Sequence, residues 1–261
     1  MDRAKVVDFI GRVPVLGSTL RKFARRYPEG SVVDVRTGVA AGLKWRRHHR
    51  YLNGYWVGHF ELEIQNALKR ELKAGDVVYD VGANAGFFTL ITARLVGPTG
   101  RVIAFDPAPE NCESIREQME LNGYSPYSSA VQKAVGGSPG RATFSFAASG
   151  SPMGHLGGAH KGERSVEVEV TTLDATAEAH GPPTFIKLDV EGFEGEVLAG
   201  ARKLLDSGPA RPVWLIELHG PQCEADVKRR LSAADYRFFD RDGQPVAAGA
   251  VLPHHVIARP A

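Results

Sequence analysis

VYDVGANAG, residues 78–86, is the stretch of sequence from which the fold can be predicted. It begins in an apolar run that is typical of a buried strand, and the residues after it, Phe87 to Val96, have the length and composition of a helix. Glycine fits the intervening loop because it reaches backbone conformations closed to other residues and lets a ligand approach the chain closely. The stretch therefore predicts a strand–loop–helix unit that holds a ligand.

Strands and helices alternate along the chain beyond this loop. A strand is predicted over Val102–Phe105 and a helix over Glu110–Leu121, and the rhythm resumes with strand Phe185–Leu188, helix Glu194–Leu205 and strand Val213–Leu218. Further short elements are predicted over residues 142–146 and 166–170 as a hairpin, over 226–231 as a last helix, and over 238–239 and 256–257 as closing antiparallel strands. This alternation predicts an α/β protein with a mainly parallel sheet, helices on both faces, and ligands at the carboxyl ends of the strands.

The composition is that of one α/β domain with a modest extension. The chain has 261 residues, 43% of them hydrophobic, and a formal net charge of +2. Nucleic-acid-binding surfaces need a marked basic excess, so this balance does not favour a nucleic acid as partner. The two cysteines fit neither a disulfide framework nor a paired-cysteine zinc site, and no apolar run resembles a membrane span or a secretory signal. The expected location is the cytoplasm.

Residues 1–60 differ in character from the rest and are predicted to be a basic, helical extension of a main domain over 61–261. The basic residues form two clusters, the second with interleaved aromatic residues: Arg21, Lys22, Arg25 and Arg26, then Lys44, Arg46, Arg47, His48, His49 and Arg50. One interpretation is a solvated helical arm that packs its apolar side on the main domain. The other is a lid, or a surface that meets an anionic substrate or the face of a membrane. Both stay open at this stage.

Two classes of ligand compete for the glycine loop. A dinucleotide requires G-x-G-x-x-G, and with its first glycine at Gly82 the sequence has Asn84 and Phe87 where the other two glycines should be. The observed D-x-G-x-N-x-G, which ends at Gly86, suits S-adenosylmethionine (SAM), a cofactor with an amino-acid tail and a sulfonium but no phosphate. Asp80 can face its ammonium group, and backbone groups of the loop can line the cofactor.

The position of Asp106 indicates that the ligand contains a nucleoside. It ends the next strand, at the place where an acid binds ribose hydroxyls in nucleotide-binding folds of this kind. An aspartate before a proline is also a common turn residue, but its position after a strand and a glycine loop favours the ribose role. The adenine is expected near Lys133, Ala134 and Val135.

Three blocks of sequence, in this order, resemble the FkbM family of SAM-dependent methyltransferases. They are DVGANAG at residues 80–86, TLD at 172–174 with IKLDVEGFE at 186–194, and VLAGA at 197–201 with IELH at 216–219. One departure is Asp106, where the family more often has glutamate, although the shorter acid can still reach a diol. The resemblance covers about residues 55–220. It implies a Rossmann-like class I methyltransferase fold with a seven-stranded sheet, SAM as cofactor, and usually O-methylation of a sugar, polyketide or similar metabolite.

Three polar residues follow two predicted strands and are the candidates for catalysis. Asp189 and Glu191 come after one strand and His219 after another, so all three should lie at the carboxyl edge of the sheet. A hydroxyl is a poor nucleophile, and a base would help: His219 has a suitable intrinsic pKa, while either acid could take the proton or orient the acceptor. Alternatively, Asp189 simply pairs with Lys187, and Glu191 is an acid favoured at a helix start. The acids do not complete a magnesium site, so no metal is predicted.

The acceptor is expected to be a small hydroxylated molecule, a sugar or secondary metabolite. His155, in the Gly/Ser-rich segment 149–158, is a second base candidate if that segment closes over the acceptor. Tyr55 and Trp56 are candidates for packing or for substrate contact, and Glu61 for packing or for cofactor contact. The rival functions are an NAD-dependent oxidoreductase, which lacks its glycines here, an RNA methyltransferase, which the charge does not favour, and a non-catalytic SAM-binding protein.

Overall fold

A computed structural model of the chain describes residues 27–51, 54–147, 154–156, 163–206 and 211–261. The chain divides into two compact units, Met1–Leu62 and Glu63–Ala261. None of the helices in the described ranges combines the length and the apolar character needed to cross a membrane.

The described part of the first unit is a small β structure with aromatic packing. Strands β1 (Val32–Asp34) and β2 (Lys44–Arg46) pair antiparallel, and a 3-10 turn follows at Tyr55–Val57. Trp45 is buried, and its ring lies 5.1 Å from that of Tyr55. These residues do not form the expected helical arm, because aromatic side chains from the strand and the turn pack on each other instead. The first basic cluster, residues 21–26, lies outside the described residues.

The second unit carries the predicted alternation of strands and helices. From Leu62 onwards the elements are α1 (Leu62–Glu71), β3 (Val77–Val81), α2 (Phe87–Val96), β4 (Arg101–Phe105), α3 (Pro109–Leu121), β5 (Ser128–Val131), β6 (Ala134–Val135), β7 (Gly140–Ala147), β8 (Gly154–Leu156), β9 (Glu163–Thr171), α4 (Leu173–His180), β10 (Phe185–Leu188), α5 (Glu194–Ala199), α6 (Arg202–Leu205), β11 (Val213–Glu217), α7 (Pro221–Ala233), β12 (Tyr236–Asp240) and β13 (His255–Pro260).

Seven of these strands form one sheet in the order β12-β13-β11-β10-β3-β4-β5. Strands β11, β10, β3, β4 and β5 run parallel, and β13 is antiparallel to both of its neighbours. The α/β class and the mainly parallel seven-stranded sheet are therefore confirmed. The antiparallel pairing of the two strands predicted as a hairpin is also confirmed, because β7 pairs antiparallel with β9. They are not consecutive, however, since β8 lies between them in the chain and pairs with the other side of β7 in a second sheet of order β6-β9-β7-β8.

Local sequence signals set where several helices begin. Helix α2 begins directly after Gly86, whose φ of 87° is unfavourable for a residue with a side chain. Helix α3 begins at Pro109, where the missing N–H costs no helical hydrogen bond. The side chain of Thr172 caps α4 by accepting a hydrogen bond from the backbone of Ala175 at 3.1 Å.

The prediction of a single helix over residues 194–205 is wrong. The chain forms two short helices there, α5 and α6, with a break at Gly200 and Ala201. A Cβ on Gly200 would lie 2.2 Å from the carbonyl oxygen of Gly136, so the chain approaches the end of β6 more closely than a side chain allows. A contact between residues so far apart in sequence interrupts a helix that local composition favours.

The registers of the central strands bring three loops to one edge of the sheet. Leu188 of β10 lies opposite Val81 of β3 on one side and opposite Ile216 of β11 on the other. The glycine loop after β3 and the residues that follow β10 and β11 therefore leave the sheet side by side, at its carboxyl edge.

Candidate active site at the carboxyl edge of the sheet

The glycine loop is shaped by left-handed backbone and by a close contact with the end of β10. Gly82, Asn84 and Gly86 have φ values of 83°, 50° and 87°. A Cβ on Gly82 would lie 1.7 Å from the carbonyl oxygen of Asp189, a distance that no real Cβ adopts. Glycine at this position is therefore required by the packing of the protein against itself, in addition to any ligand that the loop binds.

Two buried oxygen atoms in the loop have no hydrogen-bond partner among the described residues. One is Oδ1 of Asp80, whose other oxygen accepts a hydrogen bond from Thr89 Oγ1 at 2.6 Å, and the other is Oδ1 of Asn84. Burial raises the pKa of Asp80, against the opposing charge of Lys187. An unpaired buried acceptor is costly, so both atoms fit a ligand that brings N–H or O–H donors. The ammonium and hydroxyl groups of SAM are such donors.

Asp106 follows β4 and is hydrogen-bonded to the glycine loop. It is 5% exposed, and its Oδ2 accepts a hydrogen bond from the backbone N–H of Asn84 at 2.9 Å. Its Oδ1 accepts two further bonds, each 2.9 Å, from the backbone of Ala108 and the side chain of Asn111. Burial raises the pKa of Asp106 to about 7, although these donors favour the ionised form. Because Oδ2 accepts one bond and can accept two, the carboxylate retains capacity for a ribose hydroxyl.

Most of the other residues predicted to contact the cofactor or the acceptor pack against neighbouring side chains, and one has a side chain outside the described part of the chain. Ala134 is buried in an apolar cluster with Ala108, Phe144 and Val168. In the first unit, the ring of Tyr55 lies 4.9 Å from that of Phe60, and the ring of Trp56 lies 6.4 Å from that of Tyr27. The backbone of Glu61 is left-handed. His155 pairs through its backbone with Ser145, and its side chain lies outside the described part of the chain. Ligand contact by these residues remains a prediction.

The three predicted catalytic residues come together around one histidine nitrogen. Nε2 of His219 lies 3.5 Å from Glu191 Oε2 and 4.0 Å from Asp189 Oδ1. A third carboxylate, which the sequence did not single out, lies 3.6 Å away at Glu217 Oε1. We call His219, Asp189, Glu191 and Glu217 the His219 cluster. Glu191 has a φ of 52°, and a left-handed backbone at a residue other than glycine often marks a functional site.

A buried glutamate that sequence reasoning missed holds this cluster in place. Glu194 is fully buried at the start of α5, and its Oε1 accepts a hydrogen bond from His219 Nδ1 at 2.8 Å. The same oxygen accepts from the backbone of Val190 and Gly192, while Oε2 accepts from Cys223 Sγ at 2.8 Å. Burial opposes ionisation, but these bonds outweigh it and lower the pKa of Glu194. One carboxylate thus ties the loop after β10 to the histidine after β11.

The charges in the cluster differ from the expected pattern of a neutral histidine base. The hydrogen bond to Glu194 raises the pKa of His219 to about 9, so its imidazole is protonated at neutral pH. Burial and the neighbouring carboxylates raise the pKa of Glu191, although His219 opposes this. Asp189 forms an ion pair of 3.0 Å with Lys187, as the alternative interpretation of that residue predicted. Glu191 is therefore the carboxylate best suited to accept a proton.

Replacing Glu194 with glutamine should loosen the cluster and lower the free energy of unfolding by about 1.5–3 kcal/mol, as expected for a lost hydrogen bond to a charged group. Urea unfolding at pH 7 measures this effect. The pKa of Glu194 is lowered in the folded state, so its contribution is present above the ordinary glutamate value near 4.5 and is lost as the pH falls through the lower, folded value.

The matched control for this substitution is Glu196→Gln, on the same helix but exposed. Its free energy of unfolding should stay within about 0.5 kcal/mol of the unaltered protein. Equal losses in the two variants would show that Glu194 does not hold the cluster.

Comparison with known proteins gives the family. The methyltransferase FkbM domain matches residues 80–238, more than half of the chain. Hexuronic acid methyltransferase AglP of Haloferax volcanii is 29% identical over 178 residues, which cover 67% of this chain and 69% of AglP. A protein-L-isoaspartate O-methyltransferase of Ignicoccus hospitalis is 41% identical over 54 residues, 21% of this chain, and the match spans only 26% of that relative's length.

A similar solved structure is a SAM-dependent O-methyltransferase from Thermotoga maritima, with 11% identity, coverage of 91% of this chain and 79% of that one, and a TM-score of 0.47. The family match leaves the NAD-dependent oxidoreductase alternative without support. The chain belongs to the FkbM family of SAM-dependent methyltransferases.

Proposed function

We propose that this methyltransferase acts on a hydroxyl group of a small, sugar-like acceptor. The observation that carries the proposal is the junction at Gly82 and Asp189, where the glycine loop touches the loop that bears the acids of the His219 cluster. SAM supplies a methyl group made electrophilic by the sulfonium. Asp189 and Glu191, two acids of the cluster, follow β10 in a loop that contacts the glycine loop. We therefore assign to them the binding of the acceptor and of its leaving proton.

The cofactor is assigned to residues of the loop and of the next strand end. The Asp80 carboxylate faces the ammonium of the cofactor, and Oδ1 of Asn84 accepts a further hydrogen bond. Asp106 binds the ribose, with Gly82 and Gly86 allowing close approach of the backbone. Ala134 is proposed to contact the adenine and Glu61 another part of the cofactor. Support comes from the two unpaired buried oxygens and from the spare capacity of Asp106.

The acceptor is assigned to the His219 cluster. Glu191 takes the hydroxyl proton, because burial and the neighbouring carboxylates raise its pKa and so make its carboxylate a stronger base. Asp189 orients the hydroxyl. His219 fixes the positions of the Asp189 and Glu191 carboxylates, because its Nε2 lies near both of them. His155, Tyr55 and Trp56 are proposed as further acceptor contacts. Much of the rate would come from positioning, as is usual for the transfer of a group between bound partners.

A sugar acceptor is favoured by the similarity to AglP, a hexuronic acid methyltransferase. That relative and this chain align over 178 residues, which are 67% of this chain and 69% of AglP. The near-neutral charge of +2 supports a small molecule over a nucleic acid as the acceptor.

Turnover of SAM to S-adenosylhomocysteine, measured with a panel of hexuronic acids, neutral sugars and hydroxylated metabolites, tests the proposal. Saponification of the product distinguishes a methyl ether, which is stable, from a methyl ester, which is cleaved. A methyl ether on a sugar is the expected product. Methylation restricted to RNA or protein in parallel assays would refute the proposed acceptor class.

Replacing Asp106 with alanine should weaken SAM binding by about 10- to 100-fold, because it removes a charge-assisted hydrogen bond worth about 1.5–3 kcal/mol. Calorimetric titration with SAM measures the change. Asp240→Ala is a matched control, since that carboxylate also accepts two backbone N–H bonds but lies on the edge strand β12. Equal SAM affinity in Asp106→Ala and the unaltered protein would remove the ribose assignment.

A further inference from the structure

A second cluster of side chains lies on the paired strands β11 and β13. Glu217 and His255 face each other across the antiparallel pair, and His254 directly precedes His255. Nε2 of His254 lies 3.0 Å from Glu217 Oε1, and Nε2 of His255 lies 3.2 Å from Oε2. Three atoms that commonly bind metals, one from each residue, lie within 4.8 Å of one another.

The hydrogen bond at the other ring nitrogen of His254 determines where its lone pair points. Nδ1 lies 2.9 Å from the carbonyl oxygen of Leu218. A carbonyl only accepts hydrogen bonds, so Nδ1 carries the hydrogen and Nε2 of a neutral imidazole has its lone pair free. That lone pair and the carboxylate oxygen at 3.0 Å repel each other unless a positive charge, either a proton on Nε2 or a metal ion, lies between them. A backbone carbonyl bound to the far nitrogen is also the usual arrangement of a metal-binding histidine.

His255 gives an independent indication. Its Nε2 is buried and makes no hydrogen bond of acceptable geometry among the described residues, although Glu217 Oε2 lies 3.2 Å away. A buried nitrogen without a partner is costly. The His255 side chain is only 13% exposed and that of Glu217 only 19%, whereas His254 is 59% exposed and opens the cluster to solvent.

We propose that Glu217, His254 and His255 bind a divalent first-row transition-metal ion, such as zinc. Two imidazoles and one carboxylate are the donor set that such ions prefer, whereas magnesium and calcium prefer oxygen donors alone. Three protein ligands leave at least one coordination position for water or another small ligand. Glu217 also belongs to the His219 cluster, whereas His254 and His255 are not among the assigned cofactor and acceptor residues. The proposal does not depend on the proposed function.

The ion would lie beside the His219 cluster. Glu217 Oε1 is 3.0 Å from His254 Nε2 and 3.6 Å from His219 Nε2, so one carboxylate borders both groups. Asp189, Glu191 and His219 are a second set of atoms close enough to hold an ion in the described part of the chain. The experiment has to separate these two positions.

The test is calorimetric titration of the full chain, stripped with a chelator, with zinc chloride and with magnesium chloride. We expect tight zinc binding and much weaker magnesium binding. His254→Ala should weaken zinc binding by at least about 100-fold, since loss of a ligand exceeds the 10- to 100-fold cost of losing a supporting group. Because His254 is largely exposed, this variant should remain folded. His180→Ala, which removes an exposed histidine on α4, should bind zinc like the unaltered protein.

A second measurement locates the ion when cobalt replaces zinc. The visible absorption of bound cobalt should be lost in His254→Ala and Glu217→Gln and retained in His219→Ala. Loss in His219→Ala with retention in His254→Ala would place the ion among Asp189, Glu191 and His219, and would overturn the proposal. Equal zinc affinity in His254→Ala and the unaltered protein would overturn it as well.

Discussion

Gly82→Ala is expected to abolish measurable SAM binding and to lower the free energy of unfolding by about 2–6 kcal/mol. The added Cβ would lie 1.7 Å from the carbonyl oxygen of Asp189 and 2.8 Å from its carbonyl carbon. Both are backbone atoms, which cannot rotate away as the end of a side chain can. The φ of 83° adds strain for any residue with a Cβ. The loop and the end of β10 would have to separate, which moves the residues assigned to the cofactor.

Circular dichroism and calorimetric titration with SAM on the same sample measure the two effects. Gly123→Ala is the matched control, because Gly123 has a φ of 73° but its added Cβ would have no neighbour within 4 Å. The control isolates backbone strain, about 1–2 kcal/mol, and should bind SAM normally. The difference between the two variants then reports the close contact with Asp189.

A folded Gly82→Ala protein that binds SAM as tightly as the unaltered protein would contradict the assignment of the loop. If that variant unfolds, Asp80→Asn replaces it, because the amide has nearly the size of the carboxylate but no charge. Its SAM affinity should fall by about 10- to 100-fold for the loss of a charge-assisted bond. Unchanged affinity would exclude the contact with the ammonium group.

The cofactor loop was predictable because its signals are local. An apolar strand, a glycine turn and a helix follow one another within twenty residues, and helix α2 has the predicted bounds Phe87–Val96. The reason for glycine at position 82 was only half predictable. Sequence indicated room for a ligand, whereas the structure shows that Asp189, more than a hundred residues later, fills the space of a side chain.

The supporting groups of the His219 cluster could not be predicted in the same way. In the sequence, Glu194 is an acid at a helix start, a place where exposed acids are common. Its burial beneath His219 depends on the packing of α5 against α7, which no spacing in the sequence determines. His254 and His255 preceded a predicted strand, but their proximity to Glu217 depends on the antiparallel register of β13. Contacts between distant segments decide both cases.

One lysine links the cofactor residues to the acids of the cluster. Lys187 lies opposite Asp80 in the pairing of β10 with β3, and its charge lowers the pKa of that carboxyl while burial raises it. The same ammonium group forms the 3.0 Å ion pair with Asp189. A change at Asp189 would therefore disturb the charge balance at Asp80. Glu191, which makes no such ion pair with Lys187 among the described contacts, is the better position for a test of the chemical step.

Glu191→Gln should lower kcat by about 10²- to 10⁴-fold, the usual effect of losing a positioned base, while SAM affinity stays unchanged. The base has to be ionised to accept a proton, so activity of the unaltered enzyme should fall as the pH drops through the pKa of Glu191. Burial raises that pKa, which places the acid limb of the kcat/KM profile above the ordinary glutamate value of 4.5. The amide cannot titrate, so this limb should disappear in the variant. Profiles of kcat/KM from pH 4.5 to 9, with an acceptor found in the panel, measure both effects.

The control is again Glu196→Gln, five residues along the chain and exposed, which should keep both the rate and the acid limb. A loss of SAM affinity that matches the loss of turnover would show that Glu191 contacts the cofactor and not the acceptor. Near-normal turnover with an intact acid limb would mean that another group accepts the proton, and Asp189→Asn would then be the variant to measure. Slow turnover with the acid limb retained would assign Glu191 to the binding of the acceptor alone. Only the joint loss of rate and acid limb, at constant SAM affinity, identifies Glu191 as the base, because positioning affects the rate without changing which group titrates.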